Sequence, residues 1–502
     1  MQPGGRKVAA MGVDVDRTEF SRADRQRFRA KVRDCLDTFA RMLAESRFDP
    51  SSQAGLEIEL NLVDEAGRPA MSNTEVLAAI GDPAFQTELG QFNIEVNVPH
   101  RGFTGSVLSG LEHDVRAALN AAETKAHAAG ARIIMIGILP TLANEDFAGE
   151  WLSPNPRYAL LNQQILAQRG EDVVLDIDGP KERLQATWDT IAPESACTSV
   201  QFHLQVAPAD FPRYWNASQA IAGIQVGLAA NSPYLFGRQL WAETRIALFE
   251  QATDTRSDEL VAQGVRPRVW FGDRWITSIF DLFEENSRYF APLLPVLDEE
   301  QPAEVLQSGG VPLLRELRMH NGTVYRWNRP VYDVADGRPH LRVENRVLPA
   351  GPTVCDIVAN GAFYLGLVRA LAEADRPVWT RMSFAAARDN LAAGARDGVD
   401  AVVFWPDSGE VGVSELTLRR LIPLAREGLQ AQGLDQADID RFLGVIEERC
   451  RTMSNGATWQ VATVTAFEAA GLSRTEALHE MTLLYAKHMH RNEPAHTWPV
   501  GG

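Results

Sequence analysis

Residues 56–64 read LEIELNLVD, in which apolar and polar side chains alternate strictly. Successive side chains of a β-strand point to opposite faces, so leucine and isoleucine fill one face here. The other face carries Glu57, Glu59 and Asn61. The turn-forming residues EAGRP follow at 65–69 and end the pattern. This stretch predicts a strand with one face for a hydrophobic core and one face that bears carboxylates.

Three more segments show the same alternation: QFNIEVNVP at 91–99, SVQFHLQVAP at 199–208 and PHLRVENRVLP at 339–349. Their polar faces carry, in chain order, Asn93, Glu95 and Asn97; Gln201, His203 and Gln205; Arg342, Glu344 and Arg346. One interpretation is an antiparallel sheet whose polar face is solvated, as is common in such sheets. The other is a sheet whose polar face forms a site.

The composition of these polar faces favours a site. The first two strands offer only Glu and Asn, and glutamates on one face repel each other unless a cation lies between them. Mg²⁺ and Mn²⁺ prefer carboxylate oxygens and leave positions for phosphates, whereas zinc is less favoured without Cys or paired His ligands. Arg342 and Arg346 flank Glu344 and suit incoming phosphate oxygens. We therefore expect a metal–nucleotide floor on the sheet.

Several other classes of protein are disfavoured. Neither GxxxxGK[ST] nor GxGxxG between a strand and a helix is present. The 502 residues carry a net charge of −17, which disfavours nucleic acid and anionic lipid as partners. Four scattered cysteines without a CxxC pair fit a reducing cytoplasm. The longest apolar run, 133–139, is far below the ~20 residues that span a bilayer, so we expect a soluble protein without membrane contact.

The fold class predicted from these patterns is α+β. We expect a flexible tail at 1–17, a catalytic domain at 18–370 and a helical C-terminal region at 371–502 packed on that domain. A buried strand is expected at 132–140, RIIMIGILP. Helical patterns occupy 21–45, 105–129, 217–230, 275–289, 357–373, 414–432, 435–450 and 473–489.

The order of these motifs, ExE, then E-x6-E, then a strand histidine, then RxExR, resembles the glutamine synthetase superfold. Seven segments narrow the resemblance to glutamate-cysteine ligase family 2, a family of carboxylate-amine ligases. They are GLEIELNLVD (55–64), ELGQFNIEVN (88–97), IGILPTL (136–142), ANSPYLFG (230–237), ETRIALFEQATDTR (243–256), NGTVYRWNRPVYDV (321–334) and LRVENRVLPAGPTV (341–354). Similarity runs from about 50 to 370, with weaker support to about 490 through SNGATWQ at 454–460.

The resemblance implies a curved, mainly antiparallel sheet forming a funnel that holds two or three Mg²⁺ ions, or Mn²⁺, around ATP. The positions matching the family's metal ligands are Glu57, Glu59, Glu88, Glu95, His203 and Glu344. Arg346 matches the arginine that contacts the transferring phosphoryl group, with Arg342 in support. The Glu88 to Glu95 spacing is one residue shorter than in glutamine synthetases, and Glu88 precedes the strand, which leaves a solvated loop carboxylate as the alternative.

Four further residues are candidates for substrate binding. Arg245 could clamp a carboxylate, or pair with Glu243 or Glu250 instead. Arg274 and Trp275 could wall a nucleotide or amino-acid pocket, although aromatic residues at this density are more often core. Asn97 shares a face with Glu95 and could meet substrate.

The function implied is ATP-dependent glutamate–cysteine ligation through a γ-glutamyl phosphate, with ADP and phosphate released. The same chemistry with another amine or amino-acid acceptor stays open. So do a guanidino kinase-like phosphotransferase and a non-catalytic metabolite sensor. The expected partners are small molecules, namely ATP, glutamate and an amino acid or amine, and an oligomer is compatible with the sequence.

Overall fold

The computed structural model describes residues 19–45 and 47–501, so the expected tail at 1–17 lies outside the described residues. The strands are β1 (Gln53–Val63), β2 (Phe85–Thr87), β3 (Asn93–Gly102), β4 (Arg132–Ile134), β5 (Val173–Asp178), β6 (Arg183–Trp188), β7 (Ser199–Gln205), β8 (Tyr234–Leu235), β9 (Arg238–Gln239), β10 (Val269–Trp270), β11 (Tyr325–Arg326), β12 (Asn328–Ala335), β13 (Arg338–Pro349), β14 (Val402–Trp405) and β15 (Gly409–Gly412).

The helices are α1 (Arg22–Ala44), α2 (Asn73–Ile80), α3 (Val107–Ala128), α4 (Pro156–Arg169), α5 (Phe211–Ala229), α6 (Thr244–Ala252), α7 (Asp258–Ala262), α8 (Ile279–Tyr289), α9 (Pro302–Gln307), α10 (Arg315–Asn321), α11 (Val354–Glu373), α12 (Phe384–Asp397), α13 (Val413–Leu416), α14 (Ile422–Gln432), α15 (Gln436–Thr452), α16 (Gly456–Ala469) and α17 (Arg474–Arg491). A π-helical turn, Thr417–Leu421, joins α13 to α14.

The central element is a curved antiparallel sheet in the order β12-β13-β7-β1-β3-β2, with β4 paired to β1. The four strands predicted from alternation are β1, β3, β7 and β13. They lie next to one another in the sheet, in the order β13-β7-β1-β3. The α+β fold class with a mainly antiparallel sheet is confirmed.

The apolar face of the sheet packs on helices. Ile58 and Leu60 of β1 are fully buried, and burying such a side chain contributes about 1.5–3 kcal/mol. Helix α11 approaches β7 closely at Gly361, where an added Cβ would lie 2.5 Å from the Phe202 ring. Glycine at this position is what allows the helix to reach the sheet.

Helix α11 is long and apolar enough to cross a membrane, but 89% of its most apolar window is buried inside the structure. It packs against α5, α14 and α15. An added Cβ at Gly366 would lie 2.4 Å from the Ala425 carbonyl oxygen, which shows how closely α14 approaches. This helix is the central core helix of the helical layer, and the C-terminal helices pack around it. The domain boundary expected at 370 stays a prediction.

The strand expected at 132–140 is shorter than its hydrophobicity suggested and ends at Ile134. Beyond Ile134, side chains take the place of backbone hydrogen bonds between strands. The Ile136 carbonyl accepts hydrogen bonds from Asn61 Nδ2 and Thr198 Oγ1. Gly137 passes close to Pro349 and Ser232, where a Cβ would lie within 3.0–3.1 Å of their Cβ atoms. The segment is therefore buried but irregular.

Candidate active site

The polar face of the sheet is buried, unlike an ordinary solvated sheet face. Strand pairing places Glu59 opposite Glu95 and Glu57 opposite Gln201. It also places His203 opposite Glu344. The four strands thus bring the predicted polar residues onto one continuous surface.

Three carboxylates form the centre of this surface. Glu59, Glu88 and Glu95 each offer an oxygen atom, and the three atoms lie within 4.8 Å of one another. Glu59 accepts hydrogen bonds from Ser199 N at 2.6 Å and from Gln201 Nε2 at 2.7 Å. These donors fix the Glu59 carboxylate at a point where it faces the other two.

Strand β3 and the loop before it position the other two acids. Glu95 accepts from Asn97 Nδ2 at 2.8 Å, and Glu88 accepts from the Leu89 N–H at 3.2 Å. Glu88 lies between β2 and β3 yet faces the same cavity as Glu59 and Glu95. We call Glu59, Glu88 and Glu95 the carboxylate cluster.

Burial and mutual repulsion disturb the titration of the carboxylate cluster. Burial is the larger cause and raises the pKa of Glu88 to about 8, with the charge of Glu59 adding to it. Burial and the charges of Glu57 and Glu88 raise the pKa of Glu95 well above its usual range. The pKa of Glu59 is also raised by burial, although Arg346 opposes the shift. A divalent cation would relieve all three at once.

Glu57, His203 and Glu344 form a second group beside the carboxylate cluster. His203 Nε2 lies 2.9 Å from Glu57 Oε1. Neither ring nitrogen of this buried histidine makes a hydrogen bond to any described residue. Its Nε2 therefore contacts Glu57 without the geometry of a hydrogen bond, and a buried imidazole of this kind can ligate an ion.

Two arginines neutralise Glu344, which is fully buried. Its oxygens lie 2.8 Å from Arg329 Nη2 and 2.5 Å from Arg346 Nη1. Burial opposes ionisation, but the two guanidinium groups outweigh it and hold the pKa of Glu344 below its ordinary value. Burial likewise opposes charge on Arg346, and the facing Glu344 and Glu59 raise the pKa of Arg346 above its ordinary value. This arginine is a permanent cation at the edge of the carboxylate cluster.

The carboxylate cluster faces a cavity of about 320 Å³ that opens to solvent. Ligand pockets commonly measure about 300–1,000 Å³, and this cavity falls within that range. Arg157, Tyr158 and Glu194 belong to its lining, as do Tyr325 and Arg329. Acidic and arginine side chains therefore line the same cavity.

Glu194 adds a fifth carboxylate to the cavity, beside Glu57 and the carboxylate cluster. Burial, helped by the charges of Glu88 and Glu59, raises its pKa to about 8. Across the described residues its carboxylate has no hydrogen bond or ion pair. Such a group can accept or release a proton near neutral pH.

A family model matches residues 53–480, the larger part of the chain, and its description is glutamate-cysteine ligase family 2. The chain belongs to this family. The resemblance carried by the seven sequence segments is thereby confirmed. No curated protein sequence matches the chain.

This family 2 member is similar to solved structures of ligases, and the first of them shares its fold. A glutamate–cysteine ligase from Francisella tularensis in complex with AMP has a TM-score of 0.55 at 11% identity, covering 89% of this chain and 91% of that one. A bifunctional glutathione synthetase from Pasteurella multocida has a TM-score of 0.47 at 12% identity, covering 90% and 53%. The ligase PafA in complex with the ubiquitin-like protein Pup has a TM-score of 0.38 at 10% identity, covering 89% and 74%.

In this member of family 2, two predicted residues lie on the sheet but do not line the cavity. Asn97 uses its amide to hold Glu95. Arg342 turns toward Asp333, 3.3 Å away, and toward the His340 ring. The structure places Arg342 at the far end of β13 from the carboxylate cluster, where it does not support Arg346 directly.

Three predicted substrate-binding residues lie outside the cavity. Arg245 is 3% exposed and pairs with Glu243, the alternative that the sequence left open. Arg274 is largely exposed and pairs with Glu285. The Trp275 indole donates to the Met382 carbonyl and packs on Phe384, which makes it a packing residue.

The structure adds residues that the sequence did not single out as ligands or catalysts. Arg329 lies on β12 directly opposite Glu344, and the sequence of β12, NRPVYDVA, does not alternate in a way that marks it. Gln201 lies on the same predicted face as His203 and holds Glu59. Glu194 lies on a 3-10 turn, Ala192–Ala196, where no periodicity marks it.

Proposed function

We propose that this protein is an ATP- and Mg²⁺-dependent carboxylate-amine ligase that joins the γ-carboxyl group of glutamate to the amino group of cysteine. The observation that carries the proposal is the carboxylate cluster, which faces Arg346 across one cavity. Family membership supports the ligase class, and the name of the family supports the substrates.

The donor set fits a hard divalent cation. Glu59, Glu88 and Glu95 supply oxygen ligands close together, and each is destabilised as an anion without a cation. Glu57, His203 and Glu344 would hold a second ion. Bound Mg²⁺ would neutralise phosphate charge during transfer.

The chain's own residues account for the remaining requirements of phosphoryl transfer. Arg346 provides a fixed guanidinium group that can hydrogen-bond to the transferring phosphoryl oxygens. Arg329 and Arg346 keep Glu344 ionised, and Gln201 keeps Glu59 in place. The side chains are preorganised, so little rearrangement is needed when ATP binds.

The proposed reaction has two steps. A carboxylate oxygen of glutamate attacks the γ-phosphorus of ATP, the bond to ADP breaks, and an acyl phosphate forms. The amine nitrogen then attacks the acyl carbon, the bond to phosphate breaks, and the nitrogen loses a proton. Both steps proceed without a covalent enzyme intermediate, so no nucleophilic side chain is required.

A reducing compartment fits the four cysteines, all of which are free thiols. A cytoplasmic location therefore accompanies the proposal. Small-molecule substrates, rather than nucleic acid or membrane, fit a negatively charged chain whose site is a cavity lined by acidic side chains.

The test is to incubate the protein with ATP, Mg²⁺, glutamate and hydroxylamine. We expect γ-glutamyl hydroxamate with ADP and phosphate, and no product from Glu59→Gln. A stable phosphoguanidine from a guanidino substrate, or no ADP from any acceptor, would contradict the proposal. An ADP-release screen of the twenty amino acids and common amines, with glutamate constant, then identifies the acceptor, for which we expect cysteine.

A further inference from the structure

Strand β13 contains an irregularity at the residue that the proposed function depends on most. Its pairing with β7 shifts register between Asn345 and Leu348, so Arg346 and Val347 have no partner in that ladder. A bulge of this kind re-aims the side chains that follow it. The direction of the Arg346 side chain therefore depends on how the bulge is held.

On the cavity side, Arg346 Nη1 donates to Gln201 Oε1 and to Glu344 Oε1, each at 2.5 Å. Its backbone N–H donates to the Trp327 carbonyl on the neighbouring segment at 2.9 Å. These bonds orient the guanidinium group and one edge of the bulge. They leave the carbonyl groups of Arg346 and Val347 to be satisfied from elsewhere.

Arg245 of α6 supplies those donors. Its Nη2 donates to the Val347 carbonyl, and its Nη1 lies 3.5 Å from the Arg346 carbonyl oxygen. The planar guanidinium group presents several donors in a fixed geometry, which suits two successive carbonyl groups. At the bulge, Arg245 thus donates hydrogen bonds in place of those between strands β13 and β7.

Glu243 in turn fixes Arg245. It is fully buried and accepts from Arg245 Nε at 2.9 Å and from the Asn231 N–H at 2.8 Å. The Trp327 ring lies 5.7 Å from the guanidinium carbon. The pair is neutral as a unit and has no freedom to move toward the cavity.

We propose that the Glu243–Arg245 pair is a positioning device that holds the β13 bulge and thereby aims Arg346 at the cavity. Arg245 acts through Arg346 and does not touch substrate. The kinetic consequence rests on the proposed function, in which Arg346 stabilises the transferring phosphoryl group.

The first test replaces both members, Glu243→Gln with Arg245→Met, so that no buried charge is left unpaired. We expect a folded protein whose kcat for ADP release falls about 10- to 100-fold, the size of loss that a displaced catalytic group causes. The KM for ATP should stay within about twofold, because the lost interaction forms in the transition state. Full activity would overturn the proposal.

The matched control is Asp254→Asn with Arg256→Met, which removes another acid–arginine pair two residues apart just beyond α6. This pair makes no contact with β13, and we expect kcat to stay within about twofold of wild type. An equal loss in the control would show that any damage near α6 lowers activity, and would overturn the assignment.

The second test is a double-mutant cycle with Arg346→Gln. If the pair acts through Arg346, its replacement should cost no further activity in the Arg346→Gln background. Equal losses in both backgrounds would overturn the proposal. If the paired replacement does not fold, Arg245→Lys serves instead, since it keeps the charge but loses the forked donors, and full activity of Arg245→Lys would again overturn it.

Amide hydrogen exchange at residues 344–348 gives a readout independent of turnover. We expect faster exchange there in the Glu243→Gln/Arg245→Met protein and unchanged exchange in the control. Unchanged exchange in both would overturn the proposal. If the wild type shows no ligase turnover, the proposed function fails, and the exchange result still decides whether the pair holds the bulge.

Discussion

Asp356 and the carboxylate cluster are both buried acids, but their surroundings differ. Asp356 of α11 pairs with Arg449 of α15 at 2.8 Å and also accepts from Thr353 Oγ1 at 2.8 Å and from the Ala495 N–H at 3.0 Å. Arg449 donates in addition to Asn360 Oδ1 at 2.7 Å. Every charge in this core pair has a partner from another part of the chain.

The carboxylate cluster has more negative charge than its surroundings neutralise. Glu59, Glu88 and Glu95 face one another, and the nearby Arg346 is already paired with Glu344. The raised pKa values follow from this imbalance. The comparison teaches that the paired charges in the helical core hold elements together, whereas the acids of the carboxylate cluster lack the counter-charges that the proposed metal ions would supply.

The largest expected effect is on the core pair. Asp356→Asn leaves the buried Arg449 without its anion, and we expect the free energy of unfolding to fall by about 3–5 kcal/mol. Urea denaturation with the exposed Asp440→Asn as control measures it. A loss no greater than that of the control would show that the pair is not what ties α11 to α15.

A substitution in the carboxylate cluster should lower activity and leave stability intact. Glu59→Gln removes one of three repelling acids, so we expect stability to be kept while ATP turnover falls at least about 100-fold, because even outer-shell partners of a metal cost 10- to 100-fold. Turnover and urea denaturation are measured on one preparation, with the exposed Glu415→Gln as control. Retained turnover would refute the metal assignment.

A third prediction concerns how the free energy of unfolding depends on pH through Glu88 of the carboxylate cluster. Between about pH 5 and 8, folded metal-free protein keeps a proton on Glu88 that the unfolded chain has released, because the pKa of Glu88 is raised from 4.5 to about 8. Rising pH therefore favours unfolding, by at most about 1.4 kcal/mol per pH unit for one group. In EDTA, Glu88→Gln should gain stability over wild type as pH rises across this window, and a constant difference would contradict the shift.

The smallest effect is expected at Arg274, which the sequence placed near the substrate. Its exposed side chain pairs with the buried Glu285 outside the cavity. Arg274→Ala should leave the melting temperature unchanged. The KM values for ATP and glutamate should stay within about twofold of wild type. A large rise in either KM would show that Arg274 contributes to substrate binding.

Much of the site was predictable because strand alternation is a local property. Glu57, Glu59, Glu95, His203 and Glu344 were assigned to one face before any pairing was known, and the structure places them on one face. Their roles as metal ligands stay predictions. Arg245, Arg274 and Trp275 lie outside the cavity lining, and helix and loop segments carry no comparable marker of the direction they face.

The sequence by itself determined the alternating strands, the acidic composition of their polar faces and the family. A two-residue period records which side chains share a face, and no distant contact is needed to establish it. Only the tertiary structure decided the bulge that aims Arg346, the place of Arg245 behind it, and the approach of Glu194 and Arg329 to the cavity. These depend on register and on contacts between residues far apart in the chain, which local patterns do not encode.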